Sequence, residues 1–319
     1  MNITLRQPYS FCQKGRRANQ EDARYPDADR PSALTHAFVV CDGVGGHDKG
    51  EVASRTVADA IGAYMERVDF TNEFTPAELT LVLDCAFRAL NRRMAGDTHE
   101  MATTLTLVCV NGGGVLAAHI GDSRIYHVRP GVGIMYQSDD HSLVNALVHS
   151  GVITPQQAID HPKKNIITRC MGYVAPGEER PTATTMQIAD VEPGDYFFMC
   201  TDGVLDKVSD RALLDILSSD KPDGEKIAEL AKMSEDSSDN NTAILIGVAG
   251  VDCGEAECGP GLENEPQADG ETSSVEIDGD APCVTTAPID VTREEIKEVS
   301  SSSLSFKSKI SSFLKKIFG

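Results

Sequence analysis

The chain has no CxxC pair, and no apolar run near the roughly 20 residues that a bilayer-spanning helix needs. It is also poor in basic charge, with 29 Lys and Arg against 49 Asp and Glu. Each shortage removes a class of protein. Without paired thiols there is no zinc knuckle, and nine scattered cysteines, an odd number, make no disulfide framework. Several of them sit inside apolar runs (Cys41 in AFVVC, Cys109 in LTLVCV, Cys200 in YFFMC), where a reduced thiol behaves as a small hydrophobe. The opening MNITLRQPYS lacks the apolar core of a signal peptide, so a reducing cytoplasm is the expected location. A net charge of -20 repels the phosphates of nucleic acid and suits cations instead.

What is present divides into three stretches. Residues 1–250 are dense with element-forming patterns. The run Leu34–Cys41 is apolar and ends in Asp-Gly, as a buried strand entering a turn does. Val52, Val57, Ile61, Tyr64 and Val68 recur at helical spacing and predict a helix over Gly50–Val68. A second helix is predicted over Pro76–Met94, with Pro76 in its first turn. Thr103–Val110, three glycines and Val115–Ile120 read as a hairpin, with Ser123–Val128 continuing the same sheet. Tyr196–Cys200 and Ala243–Val248 read as further buried strands. The class is therefore α+β, with helices packed on sheets.

Residues 251–299 are rich in acidic residues, with Gly, Pro, Ser and Thr among them and no aromatic residue, and predict a disordered acidic linker. The charge then reverses. In residues 300–319, Phe306, Ile310, Phe313, Leu314, Ile317 and Phe318 share one helical face, and Lys307, Lys309, Lys315 and Lys316 lie off it. A short basic amphipathic helix of this kind fits an anionic membrane surface or a partner groove, or folds back on the main domain.

Asp42-Gly43, Asp202-Gly203 and Asp239-Asn240 are corners beside strand-like runs, and Glu21-Asp22 is an acidic pair after KGRRANQ. Taken singly, each corner reads as an ordinary turn. Gathered at strand ends they would form an oxygen-rich site for hard cations such as Mg²⁺ or Mn²⁺, two of which, about 4 Å apart, can share one aspartate. Asp122, in HIGDSRIYHV, reads as closing a turn through its side chain. Arg16-Arg17 reads as solvated charge, as an ion-pair partner, or as a bidentate phosphate binder.

The order of these motifs decides among the alternatives. Arg17-Ala-Asn-Gln-Glu21-Asp22, Val40-Cys-Asp42-Gly-Val-Gly-Gly46-His47, Met101-Ala-Thr-Thr104, Ile120-Gly-Asp-Ser-Arg-Ile-Tyr126, Asp140-His-Ser142, Cys200-Thr-Asp202-Gly-Val-Leu-Asp206 and Asp239-Asn-Asn-Thr242 follow one another over about residues 10–249. In that register the chain resembles the PPM family of metal-dependent protein phosphatases (protein phosphatase 2C) in its bacterial form. The resemblance implies an αββα sandwich of two antiparallel sheets flanked by helices, with two Mn²⁺ or Mg²⁺ ions at one end. Asp42 would bridge both ions, Asp202 and Asp239 complete one site, and Glu21 with the Gly43 carbonyl serve the other. Asp22 would stand behind the ligands and Arg17 bind the substrate phosphate; Asp140 and Asp206 match positions tied to a weaker third metal.

The implied activity is hydrolysis of phosphoserine and phosphothreonine by a metal-bridging hydroxide. The implied partners are phosphorylated proteins and an opposing Ser/Thr kinase. Val44 stands where eukaryotic members carry His; His47 comes later and reads as a loop histidine, leaving the proton donor open. Ala102 replaces the family's Gly, and Ser142–Gly172 matches a loop-rich flap beside the site. A pseudophosphatase serving as a binding module would lack metal ligands, and a two-metal nuclease would show a basic stripe.

Overall fold

The computed structural model describes residues 1–44, 49–95, 101–159, 161–175 and 177–252. His47, the linker from residue 253 onward and the C-terminal helix of 300–319 lie outside the described residues. In chain order the first elements are β1 (Asn2–Leu5), β2 (Tyr9–Gln13), β3 (Ala23–Tyr25), β4 (Ala37–Cys41), β5 (Gly43–Val44), α1 (Gly50–Met65) and α2 (Pro76–Met94). There follow β6 (Ala102–Thr103), β7 (Leu105–Asn111), β8 (Gly114–Ile120), β9 (Arg124–Arg129), β10 (Gly133–Gln137), α3 (Leu143–His149) and α4 (Pro155–Ile159). The last are β11 (Thr184–Ile188), β12 (Tyr196–Cys200), α5 (Asp202–Leu205), α6 (Asp210–Leu217), α7 (Asp223–Ser234) and β13 (Asn241–Asp252).

Two antiparallel sheets face each other. One runs β1-β13-β12-β9-β10, with β2 also paired to β13; the other runs β11-β8-β7-β4-β3. Strand parity explains the layers, because successive side chains point to opposite faces. In β4, Phe38 and Val40 meet Ile125, Phe197, Met199 and Ile244 between the sheets. Its other residues, Ala37, Val39 and Cys41, meet Val57, Ile61, Val82 and Leu90 of α1 and α2. In β12 the roles split likewise, with Tyr196, Phe198 and Cys200 packing under Leu213, Leu217, Ile227 and Leu230 of α6 and α7. Strands buried on both faces read as continuous apolar runs, which is why β4, β12 and β13 stand out in the sequence. The result is the αββα sandwich.

α2 spans the predicted residues. Thr75 caps it: the Thr75 hydroxyl accepts from the Glu78 N–H while Glu78 accepts from the Thr75 N–H, with Pro76 next. Other expectations need correction. Strand β4 starts at Ala37, because Leu34 sits 85% exposed in a turn where Thr35 N–H bonds the Ser32 carbonyl. Helix α1 stops at Met65, and Val68 follows in a turn bonded to the Met65 carbonyl. Thr103 belongs to a separate ribbon in which Gly43 pairs with Thr103 and Val44 with Ala102.

The largest correction is β9. It does not extend the sheet of β7 and β8 but crosses to the facing sheet, where Cys200 pairs with Arg124. The crossing is made at Gly121, whose φ of +112° a side chain would resist, and where an added Cβ would lie 2.6 Å from Thr104 Cγ2. The Ser142–Gly172 segment is not only loop: it carries α3 and α4.

Candidate metal centre

Antiparallel register assembles the acidic residues at one end of the sandwich. Ala23 pairs with Cys41, so Asp22 and Asp42 leave their strands side by side. Cys200 pairs with Ala243, and one step on Thr201 N–H bonds the Thr242 carbonyl, bringing Asp202 toward the approach to β13. Asn241 pairs with Gln13, which draws the loop carrying Arg17 and Glu21 to the same end.

Close backbone approaches explain the Asp-Gly corners. A Cβ on Gly203 would lie 2.0 Å from the Asn240 carbonyl oxygen and 3.3 Å from Asp239 Cβ, so only glycine lets the Asp202 and Asp239 corners meet. At Gly43 an added Cβ would lie 2.6 Å from the Glu21 carbonyl oxygen. One at Gly50 would strike Glu21 Oε2 at 2.5 Å and the Gly43 carbonyl oxygen at 3.0 Å, which places those two oxygens beside one another. Hydrogen bonds lock the corners. Asp42 N–H donates to Thr104 Oγ1 at 2.9 Å, and its carbonyl accepts from Thr103 Oγ1 and Thr104 N–H, each at 2.8 Å. Asn240 receives Glu21 N–H on Oδ1 and donates Nδ2 to the carbonyls of Lys14 and Asn19.

The electrostatics are those of crowded like charges. Burial, and then the neighbouring Asp202 and Asp239, push Asp22 up to about 8. Burial followed by Asp239 lifts Asp202 to about 6. Asp42 is held well above the ordinary carboxylate range by burial and by Asp22, Asp202, Asp122 and Asp239. A cluster that binds protons this avidly is short of positive charge. Arg17 supplies some from the rim: its exposed guanidinium donates Nη2 to Asp239 Oδ2 at 2.5 Å. Burial opposes the Arg17 charge, but the bond to Asp239 and the charges of Asp239, Glu21 and Asp42 outweigh it and raise its pKa.

Of the residues singled out in the sequence, Asp22, Asp42, Asp202 and Asp239 come together, with Glu21, the Gly43 carbonyl and Arg17 around them. Asp22 sits deepest and accepts from Thr201 Oγ1 at 3.0 Å. Asp122 stands within this field as well. Burial, then Asp202 and Asp140, raise it to about 7, and its charge in turn acts on Asp42. A turn-closing role read from sequence did not foresee this, because only the crossing at Gly121 delivers it. Asp140 is held bidentately by Arg124, Nε and Nη2 each 2.7 Å from a carboxylate oxygen, so a cation there competes with a guanidinium. Asp206 is exposed and accepts from Ser238 Oγ at 3.2 Å.

These residues fit divalent cations. The donors are hard oxygens, and two buried carboxylate oxygens, Asp22 Oδ1 and Asp202 Oδ1, have no hydrogen-bond partner. Among the described residues, no group of three or more carboxylate, imidazole or thiol side chains is placed to hold a metal ion with the side chains as they stand. Main-chain oxygens such as that of Gly43, together with water, are therefore needed to complete a coordination shell.

A profile described as protein phosphatase 2C matches residues 15–237. The serine/threonine protein phosphatase PstP of Mycobacterium tuberculosis is 33% identical over 250 residues, 76% of this chain and 44% of the relative; the chain thus spans less than half the length of that protein. Protein phosphatase PhpP of Streptococcus pneumoniae is 32% identical over 214 residues, 66% of this chain and 84% of the relative. Among solved structures, the catalytic domain of PstP in complex with two manganese ions superposes with a TM-score of 0.64 at 29% identity, covering 78% of this chain and all of that one. With its sandwich, its acidic cluster and these relatives in agreement, the chain belongs to the protein phosphatase 2C family.

Proposed function

We propose that the chain is a metal-dependent protein serine/threonine phosphatase. The observation that carries this reading is the set of carboxylates at one end of the sandwich, held so close that burial and mutual repulsion disfavour the charged forms of Asp22, Asp42 and Asp202. Two Mn²⁺ or Mg²⁺ ions, when bound, supply Lewis-acid charge and a water acidified toward neutrality. Asp42 directly precedes Gly43 and feels the charges of Asp202 and Asp239, and it would be the carboxylate that serves both ions. Asp202 and Asp239 would hold one ion, and Glu21 with the Gly43 carbonyl the other. Asp22, fixed by Thr201, keeps the ligands in place from behind. Arg17 stands at the exposed rim, where its guanidinium can leave Asp239 for the equatorial oxygens of a phosphoryl group and stabilise charge there. Asp140 and Asp206 are the secondary candidates for a weaker third ion.

The test uses the full chain with Mn²⁺, a phosphothreonine peptide and a phosphodiester of similar size. Hydrolysis of the peptide alone is expected; hydrolysis of the diester alone would replace this reading with a phosphodiesterase, and Mn²⁺ binding without hydrolysis would replace it with a binding module. The partners of such an enzyme are phosphorylated proteins in the cytoplasm and, in signalling, the Ser/Thr kinase it opposes. Among the described residues no helix is long and apolar enough to cross a membrane.

The basic amphipathic stretch within 300–319 would place the enzyme at an anionic membrane surface. The full chain is expected to pellet with phosphatidylserine-containing vesicles and to be released by raised salt, since each Lys near such a surface contributes about 1 kcal/mol. Equal pelleting by a chain ending at residue 303 would rule this out.

A further inference from the structure

We infer that His141 is a positioning residue: as a neutral imidazole accepting a hydrogen bond at Nδ1, it holds the Gly121–Asp122 corner against the acidic cluster and ties the flap to that corner. The inference rests on the phosphatase reading for its activity measurement, but not for its structural one.

The corner needs such a partner. The β7–β8 ladder ends with Leu105 opposite Ile120, and β9 resumes at Arg124 in the other sheet. Gly121, buried and left-handed, falls between the two ladders, so its N–H and C=O have no strand partner there. His141 serves both. Its Nδ1 accepts from Gly121 N–H at 3.1 Å, and its backbone N–H donates to the Gly121 carbonyl at 2.9 Å. A buried backbone N–H left without a partner is destabilising, so removing the imidazole loosens the corner that presents Asp122.

The same residue fastens the flap. The His141 carbonyl accepts from Thr168 N–H at 2.7 Å, and Leu143 N–H beside it donates to the Ile166 carbonyl at 2.8 Å. Both ends of the segment between Ser142 and Thr168 therefore close on the residue that grips Gly121. A third tie, Thr103 with Met171 in both directions at 2.8 Å, joins the end of the flap to the ribbon next to Asp42.

Hydrogen-bond polarity settles the form of the ring. A backbone N–H can only donate, so His141 Nδ1 carries no proton, and the ring proton sits on Nε2. From there it donates to Thr184 Oγ1 at 2.8 Å. The Arg169 Nη1, 3.4 Å from the same Nε2, faces a nitrogen that already bears a proton and makes no hydrogen bond with it. The ring is held flat against His119, with centroids 4.5 Å apart and planes 14° apart. His119 is fixed in turn by Nε2–H donating to the Asp139 carbonyl at 2.7 Å. Two neighbours, Thr184 and His119, thus aim Nδ1 at Gly121.

Side-chain shape provides the test. In His141→Asn the amide oxygen can occupy the place of Nδ1, whereas in His141→Gln the reach matches Nε2 and in His141→Ala both are lost. With p-nitrophenyl phosphate and Mn²⁺, His141→Gln and His141→Ala are expected to lower kcat about tenfold with little change in KM, the lower end of effects exerted from behind a metal site. The His141→Asn variant should stay within about threefold of wild type. An Asn variant as impaired as the Ala variant, or three variants equal to wild type, would overturn the proposal. Proton–nitrogen correlation spectra of the wild-type full chain give a readout independent of activity and of how the variants fold: an unprotonated Nδ1 and a proton on Nε2 are expected, and a proton on Nδ1 would overturn the assignment. Wild-type protein that hydrolysed nothing would sink the phosphatase reading, while the spectra would still decide the role of His141.

Discussion

Asp42→Asn is expected to abolish phosphatase activity and, at the same time, to make the metal-free protein more stable. The loss should be about a thousandfold or more in kcat/KM, equivalent to about 4 kcal/mol of transition-state stabilisation. In the proposed arrangement Asp42 would be the one side chain serving both ions, and an amide lacks the charge and the second acceptor that this needs. The gain in stability follows from the same geometry. Asp42 shares its surroundings with Asp22, Asp202, Asp122 and Asp239, each of which disfavours its charged form after burial has already done so. Removing a crowded charge while keeping the shape relieves that repulsion, and the introduced amide can donate to Asp202, which lies within hydrogen-bonding reach. Replacing ill-compensated buried charge by a neutral group of the same volume gains about 1–4 kcal/mol. A gain near 2 kcal/mol would raise Tm by about 4–8 °C in a domain of this size. Calorimetry in EDTA with parallel turnover assays checks both halves. A variant that lost activity and stability together would mean that Asp42 is a structural residue, and the cluster would then not be a site maintained at a cost to the fold.

How far the site could be read in advance depended on whether local sequence or tertiary register placed each residue. Asp42 and Asp202 were legible because each follows a strand buried on both faces, and a corner after such a strand can only lie at the edge of the sandwich. Gly43 and Gly203 were legible as turns, but their deeper reason, the carbonyl of Asn240 or of Glu21 where a Cβ would sit, exists only once the two sheets are stacked. Asp122 was read as closing a turn, and its place in the acidic field was not legible because β9 was expected beside β8. Its proximity to Asp42 and Asp202 arises from the crossing at Gly121, and nothing in GDSR announces which sheet the chain will join. Asp140 was weighed as a ligand without its partner, since the pairing with Arg124 spans a hairpin whose register shifts between Ile134 and Tyr136. The short strands β1 and β2 went unseen for a plainer reason. Four or five residues interrupted by Arg6, Gln7 and Pro8 carry little periodicity, and pairing with the long β13 is what makes them strands.

Metal-free protein is expected to lose stability as pH rises from 6 to 8, and Mn²⁺ to remove most of that dependence. The folded-state values of Asp22 and Asp122 are raised from 3.8 to about 8 and about 7. Between 3.8 and those values the folded state holds protons that the unfolded state has released. Stability therefore falls with rising pH throughout that window and levels off above about 8. Each proton retained across the two pH units corresponds to about 3 kcal/mol, enough to lower Tm by about 6–12 °C between pH 6 and pH 8. Divalent cations bound beside Asp42 and Asp202 would disfavour protons on the neighbouring Asp22 and Asp122, so their stabilising effect must grow over the same interval: small at pH 6, where Asp22 and Asp122 still carry protons, and largest at pH 8. With saturating Mn²⁺ the two melting temperatures should converge. Melting curves at pH 6, 7 and 8, each with EDTA and with Mn²⁺, distinguish the outcomes. A metal-free Tm that did not change with pH would mean that the carboxylates are neutralised by protein cations such as Arg17, and that repulsion within the cluster is not what prepares it to receive metal.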